Sequence, residues 1–344
     1  MSSAHAFEDA LVDDFDSIQT SLSEVDVRTA TCLKPEDTKA ILDELAQGVG
    51  FVACNTLVIG LLREALAAQA REALARLPAA ERGTSALINN LGLLLEAMGK
   101  LEEARPLFEE ALQARRETLG DRDPSMLASI NNMGLLLKAM GQLEEARPLL
   151  EEMLQARRET LGDRHSSTLA SIGNMGLLLH AMGQLEEARP LLEKHMQACR
   201  ETLGDRHPHT LISINNVGML LHAIGKLEEA GPLLEEAVQA SREMGGERHP
   251  VTLISIGNLA DLLRATGALV EAEAVLGTNA VAVAQEVFGS NHMEVLGDTH
   301  PQTCKYWKVL TLRWSEKCRG ERVQHVFTFH VFVPLSRQPQ PESK

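Results

Sequence analysis

Residues Ser129 to Gly162 read SINNMGLLLKAMGQLEEARPLLEEMLQARRETLG. Ile130, Met133, Leu136, Leu137 and Met140 follow the i, i+3, i+4 spacing of a helix with one buried face. Gly141 stands where such a helix ends, because a glycine takes up positive φ without the steric cost other residues bear. Leu143, Ala146, Leu150 and Leu154 restart the periodicity, which predicts a second helix over Leu143 to Leu161 with Gly162 as its stop. The stretch is one helical hairpin.

Outward from it, the hairpin recurs. Glycines at Gly99, Gly141, Gly183, Gly225 and Gly267 step by 42 residues, as do asparagines at Asn90, Asn132, Asn174, Asn216 and Asn258. EEARPL begins at Glu102, Glu144 and Glu186, and ETLGDR at Glu117, Glu159 and Glu201, on the same step. Five units therefore fill residues 84–289. The stretches Asp121 to Pro124 and Gly204 to Pro208 form the turns between units and place Pro at the first position of the next helix, where its missing N–H is not needed. One hairpin covers too little of its own apolar stripe to fold alone, so neighbours must stack. The expected fold is all-α, a right-handed solenoid of helix-turn-helix repeats.

Composition narrows the function. A net charge of -15, from 33 Lys and Arg against 48 Asp and Glu, repels phosphate backbones and anionic lipid, which argues against nucleic acid and membrane partners. The opening MSSAHAFEDALVDDFD lacks the basic and apolar regions of a secretory leader, and the uncharged run through Gly48 to Leu62 contains Asn55 and Thr56, so a cytosolic protein is expected. Five cysteines without a C-x-x-C pair read as reduced thiols. No nucleophile elbow, Walker loop, dinucleotide fingerprint or HExxH is present, so no catalytic residue, cofactor or metal is expected. His165, His207 and His249 recur in the turns, which points to turn geometry, and Cys304, Cys318, His325 and His330 lack the close first pair of a zinc finger.

Internal spacing is more specific than the period. Counting from Gly134, Leu137 follows at +3, Gly141 at +7 and Ala146 at +12, and the same spacing recurs from Gly92, Gly176 and Gly218. Those small residues belong where two helices cross closely. The pattern resembles the tetratricopeptide repeat with eight extra residues in the turn between units, and LGDRHPHTLISINNVG from Leu203 to Gly218 resembles the long repeats of the kinesin light chain family, over roughly 60% of the chain. The resemblance implies a groove lined by the first helix of each unit that grips extended, often acidic, peptides through basic residues. It also implies a kinesin heavy chain as partner, bound through a heptad segment, but no sustained heptad pattern is present. With only eleven aromatic residues in the chain, the core should be aliphatic.

On that resemblance the groove carries Asn90, Asn132, Asn174, Asn216 and Asn258, with Asn131 and Asn215 beside them. An amide offers donors and an acceptor, so it matches a peptide backbone, and it serves equally well to bridge adjacent helices. Further along the same face stand Lys138, His180, His222 and Arg264, the basic residues that would favour an acidic ligand. The expected function is a non-enzymatic scaffold that binds a peptide or protein segment, as a kinesin light chain-like cargo adaptor or as the repeat module of a larger multidomain sensor. Flanking it, residues 1–33 are expected to be acidic and disordered and 34–83 to cap the solenoid. Residues 290–322 read as a degenerate repeat or capping helix, and 323–344 as a tail with a strand-forming run from Val323 to Val333.

Overall fold

The computed structural model describes residues 50–247 and 249–276, with positions 15, 17, 18 and 41–43. Apart from those positions, the expectations for 1–33, for the part of 34–83 before Gly50, and for everything beyond Leu276 lie outside the described residues. The described chain is all helix and turn, without strands, and divides into two compact units with the boundary between Gly120 and Asp121.

The first unit contains α1 (Gly50–Arg76), α2 (Ala79–Arg82), α3 (Ala86–Ala97) and α4 (Leu101–Thr118). α1 ends at Leu77-Pro78, because the residue before a proline is pushed out of helical space. Its buried positions are mostly alanine, Ala67, Ala70 and Ala73, which lets α3 approach closely. Ser85 caps α3 by accepting the Leu87 N–H at 3.1 Å, and the buried Arg115 of α4 donates to the carbonyls of Thr84 and Ser85 at 3.3 and 3.2 Å. The α4 side chain thus fixes the start of the helix it packs on.

The second unit contains α5 (Pro124–Ala139), α6 (Leu143–Leu161), α7 (Ser166–Ala181), α8 (Leu185–Leu203), α9 (Pro208–Ile224), α10 (Leu227–Gly245), α11 (Pro250–Ala265) and α12 (Leu269–Leu276). Each helix packs on its chain neighbours, and first helices also meet directly, α7 on α9 and α9 on α11, the arrangement of a tetratricopeptide-like repeat solenoid. α6 spans the residues its periodicity predicts. α5 starts earlier than the apolar pattern from Ser129, because Asp123 accepts the N–H groups of Ser125 and Met126 at 2.7 and 3.3 Å and so extends the helix to Pro124. At its other end Gly141 has φ 74° and Gln142 N–H bonds Leu137 C=O at 2.8 Å, which satisfies a carbonyl the helix leaves free.

Helix crossings depend on glycine. A Cβ on Gly134, Gly176 or Gly218 would lie 2.6, 2.8 or 2.6 Å from Leu150, Leu192 or Leu234 of the second helix in the same hairpin. The second unit's core is aliphatic, with Ile130, Leu136, Leu150, Met153 and Ile172 fully buried. Among the buried polar groups is a histidine with a cysteine beside it. His195 Nδ1 lies 2.9 Å from Leu169 C=O, and Cys199 Sγ lies 3.4 Å from His195 Nε2. Burial drives the imidazole pKa down to about 4, although the Leu169 bond opposes this, and burial pushes the Cys199 thiol up. A neutral ring that donates from Nδ1 and faces a protonated thiol fits these partners.

Candidate interaction surface on the first helices

Because α5, α7, α9 and α11 begin and end at equivalent points of the repeat, residues 42 apart fall at the same height on successive first helices. Histidine sets three of those starting points. His165, His207 and His249 accept the N–H of Ser167, His209 and Val251 on Nδ1 at 3.1, 3.2 and 3.2 Å, the capping role that Asp123 plays for α5. These rings are helix caps.

The asparagines form a ladder. Asn174 Nδ2 on α7 donates to Asn131 Oδ1 on α5 at 2.9 Å, and Asn258 Nδ2 on α11 donates to Asn215 Oδ1 on α9 at 3.2 Å. Asn215 also donates to Leu211 C=O at 3.0 Å and to Ser255 Oγ at 2.7 Å. In each rung the first residue of one pair accepts from the second residue of the next. Asn131, Asn174, Asn215 and Asn258 are thereby brought together two by two as bridges between helices. Asn132 is half-buried on α5, Asn90 is half-buried on α3 of the first unit, and Asn216 is buried on α9.

Past the ladder the face changes from unit to unit. Lys138 is half-buried near the end of α5, His180 is buried on α7, and His222 is half-buried on α9, where burial lowers its pKa. On α11, Arg264 Nη1 lies 3.6 Å from Asp261 Oδ1. Burial raises the Asp261 carboxyl to about 7, and Arg264 holds it back only in part. Reading the asparagines as one column hid the pairing partner Ser255 and the role of Asp261. The available signal was Asp261 itself, an acid in a column otherwise filled by Leu135, Leu177 and Met219. Among the described residues, no group of three or more His, Cys, Asp or Glu is arranged to hold a metal, and no helix is long and apolar enough to cross a membrane.

These hairpins match the tetratricopeptide repeat in four overlapping stretches, residues 83–159, 125–192, 166–230 and 212–278. The chain belongs to the tetratricopeptide repeat family. Within it the repeats are of the kinesin light chain-like type, since a kinesin light chain-like protein of Podosopora anserina with nearly identical TPR-like repeats is 30% identical, over 62% of this chain and 100% of that one, with a TM-score of 0.50. Two more distant structures share the fold alone. NprR, solved with its cognate peptide NprX, is 15% identical over 90% of this chain and 85% of that one, with a TM-score of 0.54. A Rap protein, solved with competence and sporulation factor, is 10% identical over 92% and 86%, with a TM-score of 0.58. No curated protein sequence matches the chain. Proteins built this way are typically scaffolds for protein interaction, and the chain belongs to that class.

Proposed function

We propose that the row of first helices binds an extended peptide segment of a partner protein, with a preference for acidic sequence. The observation that carries this reading is the contrast between frame and face. Gly134, Gly176 and Gly218, with the leucines they cross, repeat without change, whereas the column Lys138, His180, His222 and Arg264 carries three different residue types over four positions. A surface that varies on a fixed frame is suited to reading successive side chains of a ligand that runs across the repeats. The structures of NprR and Rap with bound peptide or factor support the mode of binding. The acidic preference rests on the two permanent cations of the column, Lys138 and Arg264, the second of which also faces Asp261.

Selection of linear peptides on the intact protein tests the proposal. Reversal of Lys138 to Glu should weaken acidic binders by about tenfold, roughly 1.4 kcal/mol. The loss should shrink as salt rises, because a charge interaction open to solvent is screened within about 10 Å at 0.1 M. An affinity indifferent to both the reversal and salt would remove the acidic preference, and failure to select any peptide would remove the groove.

A further inference from the structure

α1 is longer than the helix it packs on. Its 27 residues span about 40 Å, whereas the 12 residues of α3 span about 18 Å. Burial gathers in its second half, at Ala67, Ala70, Ala73 and Leu74. Ion pairs fasten one flank of α1 to its own hairpin, Glu64 to Lys100 and Arg71 to Glu103, each at 2.6 Å.

The side of α1 turned away from those alanines is apolar and open. Cys54, Leu57, Leu61, Ala65 and Ala68 follow at i, i+3, i+7, i+11 and i+14, which puts them on one stripe of the helix. Leu57 is 62% exposed and Leu61 61%, Ala65 and Ala68 are exposed, and Cys54 is half-buried. No charged residue stands between Gly48 and Leu62. The segment around Phe15, a residue itself only 6% exposed, leaves this stripe uncovered.

We infer that two copies of the chain pair through this stripe, α1 against α1, antiparallel across a two-fold axis at Leu61. The stripe is its own complement in that arrangement. Leu61 meets Leu61 of the partner subunit at the axis, Leu57 lies opposite Ala65 of the partner subunit, and Cys54 lies opposite Ala68 of the partner subunit. A larger side chain thus faces a small one on either side of the axis, and no charge is buried. A parallel pair would crowd leucine on leucine at two levels and leave a gap between the alanines. Charge selects the same face: the chain carries -15, so two copies repel over most of their surface and approach most easily along an uncharged stretch. One helix pair of this kind covers less than the roughly 800 Å² per partner of a standard interface, so the dimer is a reversible one. The inference is independent of the groove reading, because α1 precedes the repeats.

Sedimentation equilibrium of the full chain tests the pairing. The parent should show a monomer–dimer equilibrium that shifts toward dimer as salt screens the net charge. Leu61→Glu should weaken it at least about tenfold, because two carboxylates would meet at the axis. Since Leu61 is exposed, this variant should keep the parent's melting temperature at a dilution where both are monomeric. Ala68→Cys reads the register. Oxidation should join its new thiol to Cys54 of the partner subunit in a covalent dimer, whereas within one copy positions 54 and 68 stand about 21 Å apart along the helix, too far for a disulfide. A parent that stays monomeric at every concentration reached, a dimer that Leu61→Glu leaves intact, or an Ala68→Cys protein that links no faster than the parent would each overturn the proposal. So would a monomer that Leu61→Glu destabilises, since the chain's own N-terminal segment would then be what covers the stripe.

Discussion

At the scale of single residues, two buried titratable groups in the second unit oppose each other. His195 has a folded pKa of about 4 against an ordinary 6.5, so the folded state disfavours its protonation. Its contribution is fully present above pH 6.5 and is lost as pH falls toward 4. Asp261 has a folded pKa of about 7 against an ordinary 3.8, so the folded state favours its protonated form. Its contribution is greatest below pH 3.8 and is lost as pH rises through 7. Each amounts to something on the order of 3 kcal/mol, and across the shared window they largely cancel. His195→Met, which copies Met153 of the preceding unit, should therefore expose the decline with rising pH. Asp261→Asn should expose the decline with falling pH. Urea midpoints at pH 4, 5.5 and 7 measure both, and parallel profiles for parent and variants would contradict these environments. His195 does not announce its burial in the sequence, because its position holds Met153 and Ala237 in neighbouring units and the repeat tolerates very different side chains there, whereas Asp261 stands out in an otherwise apolar column.

At the scale of helices, the contacts that set the hairpin are small and local. Gly176→Ala places a methyl 2.8 Å from Leu192, closer than packed atoms approach, and should cost about 1–3 kcal/mol in urea unfolding. Asp123→Ala removes the side chain that accepts two N–H groups at the start of α5 and should cost about 1 kcal/mol, with asparagine restoring most of it. A stable Gly176→Ala protein would mean that α7 and α8 can separate freely. The second helices were the more legible ones. α6, with one buried stripe and a charged outer face, shows its period openly and ends at a glycine. The first helices are sandwiched. Every residue from Thr168 to His180 on α7 is buried, because α6, α8 and α9 all pack on it, so even its polar residues Ser171, Asn174 and His180 lie inside and mark no exposed face. That is why the apolar window opens at Ser129 although Met126 and Leu127 are already in the core.

At the scale of the array, each hairpin draws most of its burial from the hairpins beside it. Deletion of Leu185 to Lys226, one 42-residue period, joins two equivalent points of the repeat. The product should remain helical by circular dichroism and melt at a lower temperature. Loss of all helix would mean a closed core in place of a stack. The array was legible in the chain because five units share one period. The working face was less so, since amides that bridge helices and amides without a bridging partner recur with the same spacing. Only partners separate them: Asn258 has Asn215, whereas Asn216, for which the equivalent position on α7 is Gly173, has no partner for its Nδ2.

That alternation gives the array a parity. Removal of one period at Leu185 to Lys226 takes Asn215 away and sets Asn258 opposite Gly173, so one bonded rung disappears and the gap remains. Removal of two periods, Leu143 to Lys226, instead brings Asn258 opposite Asn131, the same match that Asn174 makes now, and closes the array without a gap. Repeats of this protein are thus interchangeable in twos, so the module that a duplication or a designer could add or subtract without loss is the pair of hairpins, two 42-residue periods taken together.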